Sequence, residues 1–376
     1  MRAWLLITDV LIRTDVLIRN RGSKMSVGER IKMARRMAGL SMDDLATAAG
    51  VSKMAISKYE RGISIPSSGV LVRLAQALDV KVAYFLYPVS VSLSPPVYRR
   101  RKSLRAKAQN AILGRTQEWL ERYLDVESLL GSSVGFTLPE INRRIARLDE
   151  VERAALELRQ VWQLGLDPIE NLVELLESRG IKVGMVDGPD EFDALTMWAN
   201  GSLPVIVVKR NSPGDRQRLN LAHELGHLVL EPAVGVDEEK AAYRFAAAFL
   251  VPEPVARAEL GDHRKTLDLY ELHLLKHKHG LSMQAWVYRA KDLGIISSSA
   301  AAGLFQKFRQ ENWHHQEPGD PIPPEEPGRM KRFVLRALAE DVISPSRAAE
   351  LLGMPLAQFW REEASRHDGF PLSVYC

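Results

Sequence analysis

The segment His223-Glu224-Leu225-Gly226-His227 constrains this chain more than any other. A spacing of four residues puts two imidazoles one turn apart on a single helix face, with Glu224 beside them. Leu219, Leu221, Ala222, Leu225, Leu228, Val229 and Leu230 make the flanks apolar enough to bury that helix, and Pro232 marks where it should stop. After a turn-like stretch, residues 238–252 predict a second helix of small and apolar residues that can pack closely on the first. Its first turn offers two carboxylates. Glu239 shares a face with Ala242, Ala246 and Phe249, whereas Glu238 falls nearer Phe245, so Glu239 is read as the third ligand and Glu238 as the runner-up. Two imidazoles and a carboxylate suit zinc and leave one tetrahedral position for water, whose pKa the metal lowers to about 7. Glu224 is then the general base of a metal-dependent peptide hydrolase. The same residues would also serve a site that binds metal without cleaving anything.

A chain of 376 residues, 46% hydrophobic and 26% charged, is long enough for two or three domains with sizeable cores. The lone Cys376 rules out a disulfide framework, keeps cysteine out of the metal site and suits a reducing cytoplasm. No run of about 18 apolar residues occurs, so no transmembrane helix and no membrane partner are expected. Thr8-Asp9-Val10-Leu11-Ile12-Arg13 recurs as Thr14-Asp15-Val16-Leu17-Ile18-Arg19; residues 1–24 are read as an extension outside the native fold, with Met25 as the natural start.

Charge is spread unevenly. Residues 25–88 carry nine Lys/Arg against five Asp/Glu, and residues 99–107 add six cations, in a chain whose net charge is only +4. A basic N-terminal third on an acidic remainder points to nucleic acid at one end and another task at the other. The pattern from Val27 is helix, helix, tight turn, helix. Ile31, Ala34 and Leu40 mark the first helix; Ser41 with Asp44 opens the second, which Gly50 ends. Ser52 caps a third helix over residues 53–61, closed by Gly62. Ile56 and Tyr59 should face the core, leaving Ser52, Lys53, Met54, Ser57 and Lys58 toward a DNA major groove and its phosphates. A fourth helix through Leu71, Leu74, Ala75, Leu78 and Val80, with Tyr84, Phe85 and Leu86, closes the bundle.

The run Leu40 to Ala46, Gly50-Val51-Ser52, Ile56 to Gly62, Pro66 and Leu74 to Leu78 resembles the Xre/Cro-type helix-turn-helix repressors over residues 25–88. One departure is Met42, where that family commonly has glutamine. Further on, Leu164 to Ile169, Phe192 to Leu195, Arg216 to Arg218, Ala222 to His227 and Glu239 to Pro252 resemble the ImmA/IrrE metallopeptidases over roughly residues 110–320. That resemblance implies His223, His227 and Glu239 as zinc ligands and Glu224 as base, in agreement with the reading of the helix faces. It also places Tyr243, where asparagine is frequent, one turn after Glu239 as a hydrogen-bond partner for a ligand, and Leu219-Asn220 where phenylalanine and threonine are usual.

The expected fold is mainly α with a small mixed sheet. It comprises an all-α helix-turn-helix bundle, a zincin-like (minigluzincin) peptidase domain of α+β type and a helical C-terminal tail. The expected boundaries are an extension at 1–24, the DNA-binding domain at 25–88, a basic linker at 89–109, the peptidase domain at 110–317, a proline-rich acidic linker at 318–329 and the tail at 330–376. A helix is expected to start at Asp167-Pro168, and strands at Ile181 to Val183, Leu195 to Trp198 and Val205 to Val208 precede the zinc helix. His273, His277 and His279 with Lys276 and Lys278 are read as a solvated basic face, and His314-His315 likewise. Residues 330–362 read as a second helix-turn-helix-like pair, taken as a packing or dimerisation unit. The chain is therefore expected to be a regulator that binds a double-stranded operator as a homodimer and cleaves a protein substrate with Zn2+. The alternative is a non-proteolytic repressor or antitoxin that uses the peptidase fold to sense a signal or to bind a cognate toxin.

Overall fold

A computed structural model describes residues 27–94, 104–313 and 316–369. The six-residue duplication, the arginine run at 99–101, His314-His315 and Cys376 lie outside the described residues. The fold is mainly helical with small sheets, and the chain divides after Ser90 into two compact units. No helix among the described residues is long and apolar enough to cross a membrane.

The first unit is built from α1 (Val27–Met37), α2 (Met42–Ala49), α3 (Lys53–Glu60), α4 (Ser68–Leu78) and a 3-10 turn over Val82–Leu86. Local chemistry sets each boundary. The Ser41 hydroxyl accepts from Asp44 N–H while the Asp44 carboxylate accepts from Ser41 N–H, a reciprocal cap that starts α2. Gly50 at φ 63° ends α2 in the left-handed region, where a side chain is strained. Ser52 then caps α3 by accepting from Ala55 N–H. Ile31, Ala34, Leu45, Ile56 and Leu74 are fully buried in the core these helices enclose. Arg35 and Glu60 join α1 to α3 through a largely buried two-bond pair at 2.5 and 2.9 Å. Tyr59 packs on the core as expected, but Leu86 is 43% exposed and closes nothing.

In the second unit the long helix α5 (Ala106–Leu130) is followed by the two-residue strand β1 (Arg144–Ile145), α6 (Glu150–Val161) and α7 (Leu172–Ser178). Helix α7 begins five residues later than Asp167. The Asp167 carbonyl is taken by Arg159 at 2.5 Å and the Ile169 carbonyl by Arg218 at 2.6 Å, so neither enters a helical ladder until Asn171 supplies a cap. Strands β2 (Lys182–Val186), β3 (Ala194–Ala199) and β4 (Leu203–Lys209) form a sheet of order β2-β4-β3, with β2 parallel and β3 antiparallel to the central β4. Helix α8 (Gly214–Val229), strand β5 (Glu231–Pro232) and helices α9 (Glu238–Leu250), α10 (Glu253–Leu260), α11 (Leu269–His279), α12 (Met283–Asp292) and α13 (Ser298–Gln310) follow. The chain closes with α14 (Arg329–Ala339), α15 (Pro345–Leu352) and α16 (Leu356–Gly369).

Residues 91–94 of the segment expected as a basic linker, and the stretch expected as a proline-rich linker, pack on this unit. Val91 is 1% exposed among Ile112, Leu120 and Phe192, and Leu93 bridges to Ala199 at the end of β3. The stretch 318–329 is a strap across the start of α8, despite its prolines. Gly214 N–H donates to the Ile322 carbonyl at 2.8 Å, Gln217 exchanges two hydrogen bonds with the Glu325 backbone, and the Glu325 carboxylate pairs with Arg218. A Cβ at Gly214 would come within 2.2 Å of the Pro323 carbonyl, so glycine is what lets the strap approach. The tail packs on α5, burying Val334, Ala337 and Phe359 against Tyr123 and Val126. Behind this contact lies a buried ion pair, Lys182 to Glu127 at 2.6 Å, beside Glu177, whose carboxyl burial pushes up to about 7.

The basic face expected on α11 is only partly solvated. Lys276 is buried between Asp215 and Glu317 at 3.4 and 3.1 Å, and His279 is buried 2.9 Å from Glu259. The helix turns both side chains into the core, where carboxylates from neighbouring elements compensate them.

Candidate metal centre

Helix α8 runs beneath the sheet with nearly every residue buried, because β3 and β4 cover one side and α9 the other. Close approach to α9 depends on Gly226: a Cβ there would lie 3.1 Å from the Phe245 ring and 3.2 Å from the Ala242 Cα. Asp237 caps α9 by accepting from Lys240 N–H, which places Glu239 in the first turn, directly across from the two histidines.

Three side chains converge there. The Nε2 atoms of His223 and His227 are 3.1 Å apart, and Glu239 reaches each imidazole with a different oxygen, His223 at 3.4 Å and His227 at 3.5 Å. Donors on a tetrahedral zinc with bonds near 2.05 Å are separated by about 3.3 Å. The spacing and the donor chemistry both fit such an ion. Among the described residues this is the one group of three or more His, Cys, Asp or Glu side chains close enough to share a metal, and Glu238 is not part of it. His223 is 2% exposed and its Nδ1 has no hydrogen-bond partner among the described residues, so the ring is held by packing. The Tyr243 ring supplies that packing. Its centroid lies 4.1 Å from that of His223, so the residue one turn after Glu239 lies against the His223 ring.

Electrostatics draw the three groups together. Burial lowers the His227 pKa, but the hydrogen bond its ring donates to Glu239 and the charges of Glu224, Glu239 and Glu238 outweigh it and raise the pKa overall. Hydrogen bonds from His223 and His227 hold the Glu239 carboxyl well below the usual carboxylate range, against a smaller opposing effect of burial. An ionised carboxylate facing two imidazoles is an arrangement a divalent cation can enter without first displacing a proton from the acid. Glu224 lies next to His223 on α8, 7% exposed, and its carbonyl accepts from the Thr196 hydroxyl at 3.3 Å. That contact ties the helix to β3. Sequence reasoning had no signal for it, since Thr196 is an ordinary strand residue until the sheet is assembled.

The residues expected to face DNA lie in the first unit. Lys53, Met54 and Lys58 are exposed on α3, Met54 to 67%, while Ser57 is half-buried and Ser52 is exposed at the cap. Lys53 pairs with Asp43 at 2.6 Å, an exposed pair the sequence reading did not foresee. Surface pairs of this kind contribute about 0–1 kcal/mol, so the lysine can exchange its partner for a phosphate.

Residues 31–85 match the family model described as Helix-turn-helix, and residues 177–291 match the IrrE N-terminal-like domain. The second match spans a shorter stretch than the 110–320 expected from resemblance. Among curated proteins the chain is similar to an HTH-type transcriptional regulator of Sinorhizobium medicae, 36% identical over 59 residues, covering 16% of this chain and 42% of that protein. It is also similar to an HTH-type transcriptional regulator of Rickettsia prowazekii, 33% identical over 79 residues, covering 21% of this chain and 61% of that protein. A third relative is multiprotein-bridging factor 1 of Candida albicans, 29% identical over 89 residues, covering 24% of this chain and 55% of that protein. The chain thus spans about half the length of the curated relatives it matches.

Proposed function

We propose that this chain is a DNA-binding transcriptional regulator whose second unit is a zinc-dependent endopeptidase acting on a protein partner. The observation that carries the reading is the convergence of His223, His227 and Glu239 beside the buried Glu224. His223, His227 and Glu239 would hold the ion, which when bound polarises a carbonyl and acidifies water. Glu224 takes the proton from the attacking water and later delivers it to the departing amine, so the proton is conserved over the cycle. Tyr243 and the surrounding core keep the His223 ring in place. The outer edge of β3 between Ala194 and Met197 has no strand partner among the described residues, and an extended peptide can pair with such an edge. In the first unit Ser52, Lys53, Met54, Ser57 and Lys58 face an operator, and repressor-type modules of this kind bind paired half-sites as dimers.

Glu224→Gln separates catalysis from metal binding, because the amide keeps the shape but cannot accept the proton. Partner cleavage in cells should fall by about 10²–10⁴-fold with zinc content unchanged. An intact partner in both wild type and variant would contradict the enzymatic reading. It would support a non-proteolytic repressor or antitoxin that uses this fold to bind a toxin or sense a signal, a reading in keeping with relatives named only as transcriptional regulators.

A further inference from the structure

Capping, glycine and buried positions of the first three helices recur in the last three at a shift of 303 residues. Ser41 caps α2 and Ser344 caps α15, each accepting from the N–H three residues on. Gly50 and Gly353 end those helices at φ 63° and 70°, and each is followed three residues later by the first residue of the next helix, Lys53 of α3 and Leu356 of α16. Burial repeats as well. Ile31 and Ala34 of α1 correspond to Val334 and Ala337 of α14, Ala46 to Ala349, and Ile56 to Phe359, all at 5% exposure or less. In the first unit α4 backs the motif; in the tail α5 does so, through Tyr123 and Val126. A helix ended by a left-handed glycine, a three-residue turn and a second helix seated by one buried side chain make up a helix-turn-helix.

The outward face of α16 corresponds to that of α3 at three exposed positions, Lys53, Met54 and Lys58, and is more open at the two where α3 has the half-buried Ala55 and Ser57. Leu356, Ala357, Gln358, Trp360 and Arg361 are exposed where α3 carries Lys53, Met54, Ala55, Ser57 and Lys58. Gln358 and Arg361 are side chains suited to adenine and guanine edges, and apolar side chains on such a face meet thymine methyl groups. Gln358 bonds Glu362 at 3.1 Å and Lys331 lies 3.9 Å from Glu362, both in solvent-accessible positions where a phosphate or base can compete. We propose that residues 329–364 form a second helix-turn-helix element that binds duplex DNA through the exposed face of α16.

The test uses the full chain and a 40-base-pair random-sequence duplex, read by fluorescence anisotropy over a salt series. Four proteins are compared: wild type, Lys53→Glu/Lys58→Glu, Gln358→Ala/Arg361→Glu, and the combination. The proposal expects salt-sensitive residual binding in Lys53→Glu/Lys58→Glu, a further loss of about tenfold or more in the combination, and partial recovery when Arg361 is changed to Lys instead of Glu. The substituted side chains are exposed, so unfolding temperatures should agree within a few degrees, which separates lost binding from lost folding. Equal binding by Lys53→Glu/Lys58→Glu and the combination overturns the proposal while leaving the first element intact as a DNA binder. No binding by wild type overturns both. Trp360→Ala that changes the sedimentation behaviour of the chain without changing its DNA affinity also overturns it, and assigns α16 to a protein contact.

Discussion

Glu177 illustrates what one residue contributes beyond the metal centre. It is 2% exposed, accepts from the Arg329 N–H at 3.4 Å and has its carboxyl pushed up to about 7, chiefly by burial. The folded state therefore holds a proton that the unfolded chain has released above its ordinary pKa of 4.5. The associated stability is fully present below pH 4.5 and is lost as pH rises through about 7, a change on the order of 3 kcal/mol. Glu177→Gln should flatten that dependence, so that urea unfolding between pH 5 and 8 shows wild type losing stability relative to the variant. Parallel curves for the two proteins would show that the carboxyl is ionised throughout. Glu177 falls on the face of α7 that carries the buried Val173, whereas Glu174 turns outward; what the sequence does not display is that Tyr123 of α5 and Arg329 of α14 close over that carboxyl.

At the scale of elements, much of the molecule is written in short-range signals. The capping serines, the glycines at 50 and 353 and the apolar spacing of α8 and α9 are local chemistry, and local chemistry is what a sequence displays. The convergence of Glu239 with the histidines was legible because one helix face fixes which of two neighbouring carboxylates points inward. What was not legible depends on distant partners: the start of α7 is decided by Arg159 and Arg218, and the burial of Lys276 and His279 by carboxylates on other elements. Gly226 belongs to the same category, since its value lies in the distance between α8 and α9. Gly226→Val should cost about 1–3 kcal/mol by overpacking against Phe245 and should weaken zinc binding by moving Glu239 away from the histidines. Calorimetry with and without zinc measures both effects, and an unchanged metal-induced rise in unfolding temperature would contradict the link between that contact and the site.

Across the whole molecule, the strap over residues 318–328 connects α8, which carries His223 and His227, to the C-terminal helices. Its anchor is the pair of Arg218 and Glu325, whose side chains are 6% and 11% exposed. Glu325→Ala strands a buried guanidinium and should destabilise the second unit by about 3 kcal/mol, whereas Glu340→Ala, which breaks an exposed pair with Arg336, should cost less than about 1 kcal/mol. Equal effects in denaturant titrations would show that the strap is not held by this pair. The central claim concerns the ion that three side chains are arranged to share, and a zinc-binding titration of the full chain tests it most directly. One ion per chain is expected, with Glu224→Gln retaining wild-type affinity and Glu239→Ala losing about 100-fold or more. Equal affinity in wild type and Glu239→Ala would contradict the account.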